Sequence, residues 1–416
     1  MTSMNAEILS VGNEVVSGVI ADTNAAYLAG RMEDLGATVV AHRSVRDSEE
    51  EVMAALRSAC DSAELVLVTG GLGPTDDDVT REAAAKLAAA ALVENERAAQ
   101  LLRSFFAARN RVPHPCNMKQ AAIPQGATYL PNRHGTAAGF AMEYKNSGLF
   151  FMPGVPREME MMFEDEVVPR LRDRLAGAGN FRRTLLVIGM GESDLGAKLG
   201  DLMQRGRNPE VGTMVHGGVI AVRIVGRDKD SRAAQEKVEA VTTRIRALLG
   251  HYIISEDEST LPFVVARLLE ENGRTIAMAE SCTGGLLSGM ITEVPGISRF
   301  FLEGVVAYSN DAKMEILCVP ETVIEEYGSV SCETAKAMAS GVRDRAGADI
   351  GVAVTGIAGP GGGTPQKPVG TVCFALADER GVIAKEERLG GNRNEIRDRA
   401  AKYALNLVRL RLLGVA

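Results

Sequence analysis

The chain has 416 residues, 46% hydrophobic and 24% charged, with 46 basic against 54 acidic side chains and a formal net charge of -8. That balance excludes a disordered or fibrous protein and disfavours non-specific attraction to phosphate backbones and anionic membranes, so neither nucleic acid nor membrane is an expected partner. At about 150 residues per domain the length implies two to four domains, with three as the starting expectation.

The first basic residue is Arg31, and the opening residues read as neither a signal nor a transit peptide. The longest apolar runs, such as LAAAALV (Leu87 to Val93), fall far short of the roughly 18 residues of a membrane span. A cytoplasmic location is expected. From Ala6 to about Arg170, strand and helix signals alternate: EILSVG, TNAAYLAGRMEDLG, TVVAHRSV, EEEVMAALRSAC, then LVLVTGG running into a glycine loop. Alternation of this kind predicts a parallel sheet with helices on both faces and ligands in the loops beyond the carboxyl ends of the strands. Those loops are GNEVVSG, VRDSEE and TGGLGPTDDD.

RLAGAGNFRR (Arg174 to Arg183) reads as a linker. After it TLLVIG, SDLGAKLGDLMQ, a strand, VIAVRIVG, AAQEKVEAVTTRIRALL and YIIS follow a split β-α-β-β-α-β order. The acidic SEDESTLP (Ser255 to Pro262) marks a second boundary, beyond which TIAMAES, VVAYS, IGVAVTG and TVCFALA restore an α/β pattern. The six cysteines, Cys60, Cys116, Cys282, Cys318, Cys332 and Cys373, lack the close spacing of zinc sites and read mostly as buried thiols.

Chemistry concentrates in the third block. Ser281, Cys282 and Thr283 stand where the strand TIAMAES ends, ahead of Gly284, Gly285 and the helical run LLSGMIT. A glycine turn at a helix N-terminus suits an oxyanion or a phosphate, although Ser281 or Thr283 would equally serve as an ordinary helix cap. The histidines are His42, His114, His134, His216 and His251, so a Ser-His-Asp triad within this block is impossible. A nucleophilic Ser281 needs a lysine or carboxylate base, or else Cys282 attacks.

Of the lysines after Pro262, Lys336 and Lys402 read as helix surface and Lys385 as the solvated face of a strand. Lys313 ends AYSNDAK, a polar turn shared with Tyr308 and Asn310; the alternative for it is a solvated lysine in the first turn of a helix. A free lysine near pKa 10.4 is neutral in about one molecule in a thousand at pH 7.4. As a base it must be tuned to roughly 7 or 8, worth about 3 to 4 kcal/mol, by burial beside a cation such as Arg393 or Arg397. A second glycine loop, VTGIAGPGGGTPQKPVGTV (Val354 to Val372), places many N-H groups beside Thr355, and its Pro360 and Pro368 suggest a shaped cradle rather than a linker.

AESCTGGLLSGMIT, VPGISRFFLEGVVAYSNDAK, GSVSCETAKAMASG and the second glycine loop resemble the C-terminal domain of the CinA competence/damage-inducible family. The resemblance implies a nicotinamide mononucleotide deamidase that needs no cofactor. It implies catalytic roles for Ser281, Tyr308, Lys313, Thr355 and Arg393, with substrate contacts from Thr283, Gly284, Gly285, Asn310, Gly356, Gly359, Gly361 and Gly362. Cys282 is then a neighbour, not the attacker.

TGGLGPTDDDVT, NMKQAAIPQGATYLPN, GTAAGF and MPGVPREMEMMF are similar to the N-terminal CinA domain and to molybdopterin-binding proteins. The implied activity is hydrolysis of ADP-ribose to AMP and ribose phosphate with a divalent metal, Mg²⁺ or similar, on Asp77 and Asp78. Asn24, Asp47, Gly70, Gly71, Gly73, Thr75, Lys119, Gly135, Pro153, Gly154 and Glu158 would form the nucleotide site. Asn13, the VRDS around Asp47, and Ala138 depart from the molybdopterin-protein pattern, and the missing carboxylate at Asn13 argues most against that reading. The middle block resembles the KH-like linking domain; GMGESD, with Gly189 and Gly191 followed by acids, lacks the RNA-clamping pattern and implies a spacer or dimer element. The expectation is an α/β chain with domains at 1–172, 181–256 and 260–416, acting as a homodimer on small nucleotides. Its rivals are a non-catalytic nucleotide sensor or partner-binding protein, and a molybdopterin-binding protein.

Overall fold

The computed structural model describes residues 4–175, 179–228, 230–257 and 259–415. The chain divides into two compact units, Met1–Arg182 with Gly226–Lys237, and Arg183–Val225 with Val238–Ala416.

In the first unit β1 (Asn5–Val11), β2 (Thr38–Val45) and β3 (Leu65–Thr69) precede a short pair, β4 (Leu92–Glu94) and β5 (Ala122–Pro124). β6 (Thr128–Leu130), β7 (Gly139–Tyr144) and β8 (Ser147–Met152) follow. The main sheet runs β2-β1-β3-β8-β7-β6. β2, β1, β3 and β8 are parallel, while β7 and β6 join antiparallel, so the expected parallel sheet is a mixed one. The reason is the connection: β7 reaches β8 through Lys145 and Asn146 alone, which permits a hairpin but no crossover. Alternate residues of β1 and β3 face opposite ways. Leu9, Val66 and Val68 pack with Val52 and Leu56 of the helix Glu49–Ser62, and Ile8, Leu65 and Leu67 with Leu28 and Met32 of the helix Thr23–Asp34.

The middle segment forms β9 (Gly179–Ile188), β10 (Glu210–His216), β11 (Val219–Asp228) and β12 (Ile253–Ser255), ordered β10-β11-β9-β12. Helices Glu192–Leu199 and Ser231–Leu249 follow β9 and β11, giving the expected β-α-β-β-α-β order. The linker expected at 174–183 is corrected: Arg174 lies in the helix Val168–Leu175, and β9 begins at Gly179. Polar NFRR is compatible with a strand there because Arg183 is held by Glu239 at 2.6 Å. Residues 176–178 of that stretch, and Glu258 of the acidic boundary, lie outside the described residues.

The last sheet has β13 (Ile276–Glu280), β14 (Phe301–Val306), β15 (Ile350–Gly356), β16 (Thr371–Asp378) and β17 (Gly381–Arg388), ordered β14-β13-β15-β16-β17. β14, β13 and β15 are parallel, and β16 and β17 are antiparallel. On one face Met278, Val352, Val354 and Phe374 meet Ile396, Ala400 and Ala404 of the helix Arg393–Leu412. On the other, alanines 277, 279, 353 and 375 let the helix Cys332–Ala346 come close: a Cβ on Gly351 would lie 2.1 Å from the Ala339 carbonyl. The carboxyl ends of the three parallel strands therefore open on one edge, carrying the ESCTGG turn, the YSNDAK turn and the second glycine loop.

Candidate functional site

Ser281 leaves β13 with its N-H on the Val354 carbonyl at 2.9 Å, so the main chain stays registered with β15 up to the reactive position. Its side chain is 8% exposed, and its hydroxyl makes no hydrogen bond among the described residues. Neither Ser281 nor Thr283 caps the helix that follows. The helix Leu286–Thr292 starts at Gly285, whose φ of 94° suits glycine, and its acceptor is the buried Glu280 carboxylate. Glu280 accepts from the N-H groups of Gly285 (2.9 Å), Leu287 (3.0 Å) and Ser288 (2.8 Å), and from Ser288 Oγ (2.6 Å).

The helix N-terminus is thus already occupied by an anion of the protein, which removes these donors as a substrate oxyanion site. The N-H groups of Cys282 and Thr283 remain open among the described residues, beside a buried Thr283 Oγ1 that has no partner. Arg397 Nη2 donates to the Thr283 carbonyl at 2.8 Å and fixes the outer side of the turn. Burial pushes the Cys282 thiol up to about 12, so it carries no thiolate near neutrality.

Lys313 is not a solvated first-turn lysine. It is 1% exposed, and its Nζ donates to the carbonyls of Ala307 (3.1 Å), Tyr308 (3.2 Å) and Ser309 (3.4 Å), curling back over the turn at the end of β14. Burial lowers its pKa, and no carboxylate among the described residues pairs with it. No hydrogen bond joins Lys313 to Ser281. Tyr308, 61% exposed, accepts from Arg393 Nη2 at 3.1 Å, and Arg393 Nη1 donates to the Gly359 carbonyl at 2.6 Å. That arginine ties the YSNDAK turn to the second glycine loop. Thr355 is buried on β15 and donates to the Ser329 carbonyl at 2.7 Å. Asn310 opens the helix Asn310–Leu317 behind the Ser309 cap with its side chain exposed. Gly356 ends β15, while Gly361 and Gly362 are exposed in the loop with N-H groups that donate to nothing among the described residues.

In the first unit a cleft of ≈ 530 Å³ is lined by Asp47, Gly70, Gly71, Gly73, Asp77, Asp78, Pro153, Gly154 and Glu158 of the expected site. Asp78 is spent on the loop itself, accepting from Gly73 N-H (2.7 Å), Thr75 N-H (2.8 Å) and Thr75 Oγ1 (2.5 Å). Asp77 is exposed, and the neighbouring Thr75 side chain holds its carboxyl below the usual range. Burial and the nearby carboxylates of Glu14, Asp77 and Asp78 raise Asp47 against the opposing Asn13 N-H at 2.8 Å. Asn24 stands behind the cleft, its Nδ2 on Thr69 Oγ1 (2.9 Å) and the Gly154 carbonyl (2.8 Å). Lys119 turns to Asp76 at 3.2 Å, and Gly135 leaves room for Glu158, whose carboxylate would lie 1.9 Å from a Cβ there.

Among the described residues no three His, Cys, Asp or Glu side chains form a protein-only metal cage. A hard divalent ion asks for less, one or two carboxylates with phosphate oxygens and water, and Asp47 and Asp77 fit that demand.

Sequence reasoning missed three residues. Glu280 was visible as a carboxylate ending an otherwise apolar strand. Arg81, fully buried, donates to the carbonyls of Leu72 (2.6 Å) and Gly73 (2.7 Å) under the first glycine loop. Gln120 lines the cleft with a buried Oε1 that has no partner among the described residues.

Residues 258–412 match the family described as "CinA C-terminal domain", residues 182–255 "Damage-inducible protein CinA KH domain", and residues 7–173 "Probable molybdopterin binding domain". A CinA-like protein of Geobacter metallireducens is 43% identical over 99% of this chain and 100% of its own length. One from Kosmotoga olearia is 42% identical over 99% of each. A solved structure of competence/damage inducible protein CihA from Agrobacterium tumefaciens is 40% identical over 37% of this chain and 97% of that one, with a TM-score of 0.35. With an α/β fold in two sheet-bearing ends and a KH-like middle, and with relatives matching along its whole length, the chain belongs to the CinA family.

Proposed function

We propose that the C-terminal domain deamidates nicotinamide mononucleotide, with Ser281 as nucleophile and Lys313 as its base. The observation that carries this reading is a buried lysine without a carboxylate partner on the same sheet edge as an unbonded serine hydroxyl. Burial favours the neutral amine, which keeps two of its three carbonyl contacts, gives up the third, and turns its lone pair to accept the Ser281 proton as Oγ bonds to the carboxamide carbon. The N-H groups of Cys282 and Thr283 face the charge that develops on the carbonyl oxygen. As the tetrahedral species collapses, the proton passes to the departing nitrogen, ammonia leaves, and water hydrolyses the resulting ester. The Lys313 to Ser281 hydrogen bond absent at rest forms when substrate fills the edge, as catalytic contacts commonly tighten in the complex.

The first unit, on this proposal, cleaves ADP-ribose to AMP and ribose phosphate, with Asp47 and Asp77 holding a Mg²⁺-like ion that neutralises the pyrophosphate. What supports it is an Asp47 carboxyl raised by burial first and by the neighbouring carboxylates of Glu14, Asp77 and Asp78 second, which a cation would relieve. Ammonia release from nicotinamide mononucleotide, compared for the intact chain and Ser281→Ala, tests the first reading: a drop of about 10³-fold or more is expected, and equal rates would remove it. AMP formation from ADP-ribose, with and without added Mg²⁺, tests the second.

A further inference from the structure

The second unit holds another cleft, of ≈ 620 Å³, where the loop after β9 faces β16, β17 and the helix Arg393–Leu412. That size suits a small ligand. Gly189, Tyr252 and Asn406 meet on its wall: a Cβ on Gly189 would lie 3.6 Å from the Tyr252 ring and 3.7 Å from Asn406 Nδ2. Tyr403, also lining it, stacks on Phe374 with ring centroids 5.9 Å apart. Aromatic surface is therefore available from two tyrosines.

Asn406 is 7% exposed, and its Oδ1 accepts from Arg409 Nε at 2.9 Å, which fixes the orientation of the amide. Its Nδ2 donates to nothing among the described residues and borders the cleft. Open to the cleft and unspent on the protein, this donor is available to an acceptor that arrives from outside. Arg399 Nε is buried without a partner among the described residues.

Charge favours an anion. Glu387 neutralises Lys385 at 2.6 Å. Arg388, Arg399 and Arg409 also line the cleft and have no carboxylate partner among the described residues; Arg409 gives its remaining donors to the His251 (2.6 Å) and Ile253 (2.9 Å) carbonyls. Glu192 and Asp194 stand exposed at the rim, so three guanidinium groups face two carboxylates.

Flat rings, a fixed amide donor and unpaired guanidinium groups together complement an aromatic base joined through a sugar to a phosphate. We propose that this cleft binds a nucleoside monophosphate, the base against Tyr252 and Tyr403 with the Asn406 amide on a ring nitrogen, and the phosphate on Arg388 and Arg399. It is separate from the proposed reactions, and its test does not use them.

The chain contains no tryptophan, so Tyr252→Trp in the full chain makes the cleft the sole source of indole fluorescence. Adenosine 5′-monophosphate should quench it saturably. Arg388→Met, which breaks no ion pair among the described residues, should weaken that binding about tenfold or more, and Asn406→Leu about fivefold. Adenosine and ribose 5-phosphate, each lacking one half of the ligand, should bind more weakly than the monophosphate. Should the tryptophan chain not fold, shifts of the Tyr252 and Tyr403 ring signals among the seven tyrosines of the otherwise unaltered chain read the same event. Absence of saturable change up to about 10 mM, equal binding of ribose 5-phosphate, or indifference to both substitutions overturns the proposal.

Discussion

Lys313 and Glu280 show two opposite uses of a buried side chain on one sheet edge. Glu280 accepts from four donors and so organises the helix behind Ser281. Glu280→Gln aims an NH₂ at N-H groups; we expect a stability loss of about 2 to 4 kcal/mol by urea unfolding and slower ammonia release. Lys313 has no carboxylate partner among the described residues, and burial shifts it towards the amine. With the amine as the proposed active form, kcat/KM should rise with pH and level off above the Lys313 pKa, which lies below the ordinary lysine value. Lys313→Arg cannot shed its proton in that range and should abolish the rising limb, with a rate loss of about 10² to 10⁴. A pH-rate series on both proteins reads this. Cys282→Ala, by contrast, should keep ammonia release within about threefold, because a thiol pushed up to about 12 supplies no nucleophile.

At the scale of elements, both proposed sites are strand-to-glycine-loop-to-helix units, but they are braced differently. Behind Ser281 the brace is an anion on N-H groups. Under the first glycine loop it is a cation on carbonyls, since Arg81 holds Leu72 and Gly73 while Thr80 Oγ1 holds the Gly70 carbonyl at 2.9 Å. Gly70, at φ 100°, cannot carry a side chain, because its Cβ would lie 2.1 Å from the Val11 carbonyl. Arg81→Leu frees two buried carbonyls and should abolish AMP formation while leaving ammonia release within about twofold, which parallel assays on one preparation would show. The loops were legible because apolar strands ending in Gly and Ser or Asp announce them; spacing made Ser281 and Lys313 candidates with a helix cap and a solvated lysine as alternatives, and the acidic cleft was implied only by the family resemblance. Glu280 and Arg81 could not be assigned roles, because their partners are main-chain groups whose directions exist only once the loop has closed. The mixed character of the first sheet was likewise hidden, since β7 and β8 read as strands without declaring direction.

For the molecule as a whole, the proposed deamidation chemistry and the stability of the domain that bears it draw on different lengths of chain. Every group assigned to the reaction, from Ser281 to Arg393, lies within residues 259–416, so a fragment of that span contains the complete machinery. Its core does not end there. Ile188 and Ile254 are buried in the same apolar cluster as Val265, Leu405 and Val408, with Leu186 and Val219 packed against it. Arg409, whose pKa burial lowers to about 10, gives two of its donors to the His251 and Ile253 carbonyls. Removing the middle segment exposes two isoleucine contacts worth about 1.5 to 3 kcal/mol each and strips a buried cation of its acceptors. The fragment should therefore release ammonia at a rate within about threefold of the full chain at low temperature, yet melt at least about 5 °C lower. Arg409→Met in the fragment should recover part of that loss, because a hydrophobic side chain no longer needs the missing carbonyls, and thermal unfolding of the three proteins side by side measures it. A fragment as stable as the full chain would mean that the KH-like segment is a spacer after all, contributing nothing to the fold that carries Ser281.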